Sequence, residues 1–206
     1  MLVSAALLGY ETAGLFSKDD GMSISETRAR ALEIIRAKSF VRRKIILSSG
    51  KESDHYFDMK PTMLDPEGAG LLCELILHKL AGIDVDYVGG LEMGAVPLLG
   101  PLAMVSRQQG RPIPGLFVRK TSKEHGTRRQ IEGVEDVRGK RIAVVEDVTT
   151  TGASAMKSIG VLREAGASVP VVITIVDREE GAAKLYRDAG IPFQALFTAS
   201  EFLKSA

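Results

Sequence analysis

An α/β fold around a mostly parallel sheet is what this sequence predicts. Short apolar, β-branched runs alternate with helical stretches through most of the chain, the order expected of strands joined by right-handed crossovers. The strand candidates are nearly continuous in apolar character, which suits strands covered on both faces. One of them, Ile142 to Val145, stops abruptly at two adjacent carboxylates and a run of hydroxyls and glycine, EDVTTTGAS. In an open α/β sheet the ligand crevice lies in that place, beyond the carboxyl ends of the strands.

Residues 1–21 read as an extension ahead of the domain, poorly ordered, with a short helix packed on the core as the other reading. Leu2 to Leu8 is largely apolar, yet no basic stretch precedes it and Glu11 interrupts it, so it is not a signal peptide. Residues 22–206 read as one domain. Its first helix lies in MSISETRARALEIIRAKSF, where Ser23 and Glu26 have capping-box spacing and Ala31, Leu32, Ile34 and Ile35 form the apolar stripe. Lys44 to Leu47 and His55 to Met59 read as two short strands joined by the turn Ser48 to Lys51. Pro66 opens a helix whose stripe runs from Ala69 to Leu80.

Val85 to Val88 is the next strand, ending in Gly89-Gly90. Ala95 to Gln108 reads as a helix despite Pro97 in its first turn and Pro101 inside it. Pro114 to Val118 is a strand, and the strand at Ile142 feeds a helix from Met156 to about Ala165. Strand Val169 to Val176, helix Glu179 to Ala189 and strand Phe193 to Thr198 complete the order. No internal repeat and no low-complexity linker is present.

Composition narrows the function. The formal charge is +1 over 206 residues, with acids and bases interspersed, which gives no general nucleic-acid or membrane surface. No apolar run approaches the length of a membrane span. The only cysteine, Cys73, sits in a helical pattern; a disulfide framework is excluded, and an inert buried thiol in a reducing cytoplasm is expected.

The stretch RIAVVEDVTTTGAS carries the most chemistry. Thr149, Thr150, Thr151, Gly152, Ala153 and Ser154 form a strand-to-helix turn that presents backbone N–H groups and hydroxyls at a helix N-terminus. Such a turn cradles phosphate, and Gly152 lets the backbone approach the anion closely. Glu146 and Asp147 would repel a bare phosphate. They make sense beside a ligand that carries hydroxyls or a metal next to its phosphate, as a ribose 5-phosphate does. The string also fits an ordinary turn in which Asp and Thr cap the helix. No P-loop sequence occurs in the chain.

The second informative stretch is FVRKTSKEHGTRRQIEG. Arg119, Lys120, Lys123, Arg128 and Arg129 face only Glu124 and Glu132, and neither a helical nor a strand period organises them. A loop of about a dozen residues is expected, a length that is usually functional or disordered. Near an anionic site it could close over a polyphosphate and shield it from water; a solvated basic loop is the plainer reading. No aromatics interleave the charges, which argues against a nucleic-acid patch.

Taken together these strings resemble the type I phosphoribosyltransferases, and within them the orotate phosphoribosyltransferase family. RIAVVEDVTTTGAS is similar to the family's motif for 5-phosphoribosyl 1-pyrophosphate (PRPP), and RKTSKEHG to its flexible catalytic loop. SSGKESDHYFDMK resembles its substrate-covering hairpin, and VDREEG the segment after the following strand. The resemblance implies a type I phosphoribosyltransferase fold, a mostly parallel sheet flanked by helices with a small N-terminal hood hairpin. It implies PRPP contacts from Arg119, Lys120, Lys123 and His125 and from Glu146 through Val148 to Ser154. Tyr56, Phe57, Thr150 and Arg178 would hold orotate, Arg178 by its carboxylate. Lys120, Lys123, His125 and Asp147 would be catalytic.

Mg²⁺ would be carried mainly by the pyrophosphate of PRPP, with no site made of protein groups alone. The family also implies a homodimer in the cytoplasm, each loop reaching into its neighbour's site. Some members place lysines where this chain has Ser48 and Met93, so the contacts expected at those positions are open, with Lys51 and Lys60 as candidate substitutes. A purine-base phosphoribosyltransferase would share the PRPP loop but gives no reason for Arg178 or RKTSKEHG. A PRPP-binding regulator acting on nucleic acid would need a basic face, which the chain lacks.

Overall fold

The computed structural model describes residues 22–46, 52–121 and 129–204. Helix α1 (Ile24–Lys38) starts where its sequence predicts. The Ser23 hydroxyl accepts from the Glu26 N–H at 3.3 Å, and the Glu26 carboxylate accepts from the Ser23 N–H at 2.8 Å. Two donors left over at the helix start are thereby satisfied. Strands β1 (Phe40–Ile46) and β2 (Glu52–Phe57) form an antiparallel hairpin that pairs Phe40 with Phe57. The predicted turn between them, with Ser48 and Lys51, lies outside the described residues, as do residues 1–21. β1 begins four residues ahead of the predicted Lys44, because Phe40 packs on Phe57 and Phe202, long-range contacts that no local pattern encodes.

Short α2 (Lys60–Met63) and α3 (Pro66–Lys79) follow, the latter capped by the Asp65 carboxylate, which accepts from the Gly68 N–H. Then come β3 (Tyr87–Leu91), α4 (Val96–Gln108), β4 (Gly115–Val118) and β5 (Ile131–Glu132). The last third comprises β6 (Ile142–Thr149), α5 (Ala153–Glu164), β7 (Val172–Asp177), α6 (Ala182–Asp188), β8 (Phe193–Thr198) and α7 (Ala199–Leu203).

The larger sheet has the order β5-β4-β3-β6-β7-β8; all its pairings are parallel except that of β5 with β4. From β3 the chain moves outward to β4, then returns to β6 on the other side of β3 and continues to β7 and β8. The strand order therefore reverses between β3 and β6, the switch point at which open α/β sheets bind ligands. Both faces are covered. Ala143 and Val145 of β6 pack with α1, α3 and α4, whereas Ile142 and Val144 pack with α5 and α6.

Two boundaries differ from expectation for backbone reasons. β7 starts at Val172 rather than Val169, since Pro170 has no N–H to give a ladder. α6 starts at Ala182 rather than Glu179, because Glu179 (φ 62°) and Gly181 (φ 107°) are left-handed and break the helical path. α2, β5 and α7 have no counterpart among the predicted elements.

Candidate functional site

The carboxyl ends of β3 and β6 and the loops after them frame one site. β6 runs past its apolar part and carries Glu146 and Asp147 as its own residues, because the ladder to β7 continues through Val148–Val176 and Thr149–Asp177. Alternation along the strand sends the two acids to opposite faces. Glu146 looks toward α5 and α6, where it lines a cavity of about 260 Å³ with Thr149 to Ala155 and Tyr186. Its Oε1 is buried with no hydrogen-bond partner. Burial first, and the Asp147 charge second, push its pKa up to about 8.

Asp147 looks the other way, toward α2 and the β3–α4 loop. Burial raises its pKa, opposed by the Val148 N–H, which donates at 2.8 Å, and by the Lys60 ammonium. Gly94 passes so close that a Cβ there would lie 2.7 Å from Asp147 Oδ1. A side chain at 94 would therefore have to displace the Asp147 carboxylate.

The Thr149–Ser154 turn has the expected strand-to-helix form. Gly152 is the N-cap of α5 and sits at φ 85°, in the left-handed region open to glycine. No side chain caps α5, so the N–H groups of its first turn face the cavity mouth. Beneath the loop, the buried Tyr186 hydroxyl donates to the Gly152 carbonyl at 3.3 Å.

Arg178 is built into the same unit. Its N–H donates to the Thr149 carbonyl at 2.9 Å, tying the turn after β7 to the Thr149–Ser154 loop. Its side chain is only 3% exposed; Nε donates to Glu180 Oε1 at 2.8 Å and Nη2 to Ser53 Oγ at 3.0 Å. The hairpin is thereby docked over the site by a bond spanning 125 residues of sequence. Of the two aromatic residues expected to flank a planar ligand, Tyr56 is half-buried. Phe57 is 4% exposed and its ring packs on Phe40 and Phe202 at 5.1 and 5.0 Å, because neighbours on a strand face opposite ways.

The basic loop is described only at its base. Arg119 and Gln130 exchange main-chain and side-chain bonds, Arg119 N–H to Gln130 O at 2.8 Å and Gln130 Nε2 to Arg119 O at 3.1 Å. Arg119 also lies 3.9 Å from Glu132. Lys120 is exposed. Lys123 and His125 lie outside the described residues.

Sequence reasoning missed four contributors: Ser53, Glu92, Tyr186 and Glu180. Only Glu180 had a local signal, a carboxylate two residues from Arg178. Met93 is 62% exposed at the position where a cation was sought. Lys60 is near the Asp147 side of the site, with its ammonium 2.5 Å from Asp58 Oδ1. Among the described residues, no group of three or more His, Cys, Asp or Glu is arranged to hold a metal ion, and no helix is long and apolar enough to cross a membrane.

With the geometry in place, comparison with known proteins gives a consistent result. Residues 63–193 match the model of the phosphoribosyl transferase domain. An orotate phosphoribosyltransferase from a Bradyrhizobium species is 59% identical over 185 residues, covering 88% of this chain and 100% of the relative. The crystal structure of Mycobacterium tuberculosis orotate phosphoribosyltransferase in complex with Fe(III) dicitrate superposes with a TM-score of 0.76 at 36% identity, covering 85% of this chain and 98% of that one. The same enzyme in complex with PRPP gives a TM-score of 0.72 at 34% identity, again over 85% and 98%. The type I phosphoribosyltransferase fold expected from the motifs is the fold observed.

Proposed function

The chain belongs to the orotate phosphoribosyltransferase family and is an enzyme, a pentosyltransferase; on that premise we propose that it joins the 5-phosphoribosyl group of PRPP to N1 of orotate. The products are orotidine 5′-monophosphate and pyrophosphate, in de novo pyrimidine biosynthesis. The observation that carries the residue-level reading is the bond between the Arg178 N–H and the Thr149 carbonyl. It makes the phosphate loop and the cation suited to a carboxylate one rigid unit.

In this reading the 5-phosphate of PRPP sits on the Thr149–Ser154 loop and accepts from the free N–H groups at the start of α5. Glu146 and Asp147 are assigned to the ribose hydroxyls, which they would reach from opposite sides of the end of β6. Tyr56 lies against the pyrimidine ring, Thr150 contacts it, and Arg178 takes its carboxylate by rearranging its bonds to Ser53 and Glu180. The C1–pyrophosphate bond breaks through an oxocarbenium-like transition state as N1 approaches C1. Charge develops on the departing pyrophosphate, so cations aimed there favour the transition state over the ground state. Lys120, Lys123 and His125 are assigned that role, and Arg119 is assigned to PRPP binding.

Mg²⁺ is a hard cation that takes oxygen ligands and commonly binds through one or two carboxylates plus substrate phosphates. The donor set fits: Asp147 offers carboxylate oxygens at the end of β6, against Gly94 of the β3–α4 loop. When bound, Mg²⁺ would neutralise charge on the pyrophosphate. We also place the enzyme in the cytoplasm, as a homodimer in which each loop serves the partner's site; the polar, cationic composition of the loop supports that arrangement.

The test is PRPP-dependent loss of orotate absorbance, run beside adenine and hypoxanthine with Mg²⁺ present. Turnover of orotate alone is expected. Preferential turnover of a purine base would overturn the proposal.

A further inference from the structure

Glu92 is the first residue after β3, in the loop that also carries Gly94. Its backbone N–H donates to the Val118 carbonyl at 2.9 Å, which fixes it beside the end of β4. Its carboxylate Oε1 accepts from the Lys120 N–H at 3.0 Å. Two residues on, Gly94 lies against Asp147. This short loop therefore bridges the acidic end of β6 and the root of the cationic loop, two parts of the site that do not otherwise meet through β4.

An acid in this position needs an explanation. A carboxylate beside a polyphosphate site repels the ligand unless its charge is engaged. Here the Lys120 amide engages it, and a charge-assisted bond of this kind is stronger than a neutral one. The remaining bonds at the loop root, between Arg119 and Gln130, clamp the two ends of the loop to each other. Arg119 also lies 3.9 Å from Glu132 of β5, whereas the bond from Glu92 ties the Lys120 backbone to the loop after β3.

We infer that Glu92 is a positioning residue: its carboxylate, as an acceptor for the Lys120 N–H, sets the direction in which the cationic loop leaves the sheet and so aims the Lys120 ammonium at the departing pyrophosphate. The inference rests on the catalytic role given above to Lys120. Because a misdirected cation loses more in the transition state than in the ground state, the defect falls on kcat more than on KM.

The experiment compares Glu92→Ala, Glu92→Gln and Lys120→Ala with the parent, measuring kcat and KM for PRPP, thermal melting, and amide exchange in the peptide spanning Val118 to Lys120. Glu92→Ala should lose roughly ten- to a hundredfold in kcat, the scale of one lost charge-assisted bond, with little change in KM or melting and with faster exchange at the loop root. Glu92→Gln keeps an acceptor oxygen and should recover most of the rate. If Lys120→Ala is impaired while Glu92→Ala turns over normally, the positioning role is wrong and the loop assignment stands. If Lys120→Ala is itself normal, the loop assignment fails and the inference falls with it. A Gln variant as slow as the Ala variant would also overturn it, since the carboxylate would then act as a charge rather than as an acceptor.

Discussion

The Tyr186 hydroxyl donates to the carbonyl of Gly152, so that a buried phenol on α6 supports the one left-handed residue of the Thr149–Ser154 loop from below. The ring also lies 3.0 Å from where a Cβ on Gly152 would be, and packs at a tilt on Phe193 at 4.8 Å. Support and close approach act on the same residue, and this gives the loop its shape before any ligand arrives.

Tyr186→Phe should cost about 1 kcal/mol of stability, the usual net value of one buried hydrogen bond, and raise KM for PRPP several-fold. Gly152→Ala should cost more, about 1–2 kcal/mol from the left-handed backbone alone, with a larger loss of PRPP affinity. Melting curves beside PRPP titrations check both. An Ala variant as stable and as avid as the parent would show that the loop does not depend on that conformation.

Glu146 gives the ligand-free protein a pH dependence. Its folded pKa of about 8 stands above the ordinary 4.5. Stability linked to its proton is complete below the lower value and is lost as pH rises through the upper one. Glu146→Gln removes the titration, so at about pH 8.5 it should melt above the parent, with the gap narrowing toward about pH 5. A gap of the same size at both pH values would contradict the assignment.

Asp147→Asn should abolish most activity while leaving the fold intact. Its side chain stands at the mouth of the site, against Gly94 and within the field of Lys60, and takes no part in either apolar core. Near-parental rates at saturating PRPP and Mg²⁺ would remove Asp147 from the ribose site.

Much of this architecture was legible because it is local. The strand, acids, loop and helix of residues 142–164 are contiguous, and the cap from Ser23 to Glu26 spans one helical turn. The parts that escaped depend on distance or on side-chain direction. β5 is two residues long and exists through its pairing with Phe117 and Val118. Ser53 meets Arg178 across 125 residues, and Glu92 meets Lys120 across 28. The acids at 146 and 147, adjacent in sequence, part company once the strand is known to run through them. The same alternation separates Tyr56 from Phe57.

The proposed shared-site arrangement predicts complementation. Lys123→Ala and Asp147→Asn homodimers should each be nearly inactive. Mixed dimers would hold one site bearing both defects and one bearing neither, so about half the parental activity per mixed dimer should return. Heterodimers that form and remain inactive would mean that each loop serves its own subunit.

The most direct test of the account is a side-by-side measurement of kcat/KM for orotate and uracil. Uracil has the same ring without the carboxylate, so it cannot use Arg178 and leaves that guanidinium with Ser53 and Glu180. Loss of a buried, charge-paired contact is worth on the order of a hundredfold or more. The account predicts at least that preference for orotate, reduced sharply in Arg178→Gln. Comparable turnover of the two bases by the parent enzyme would contradict it.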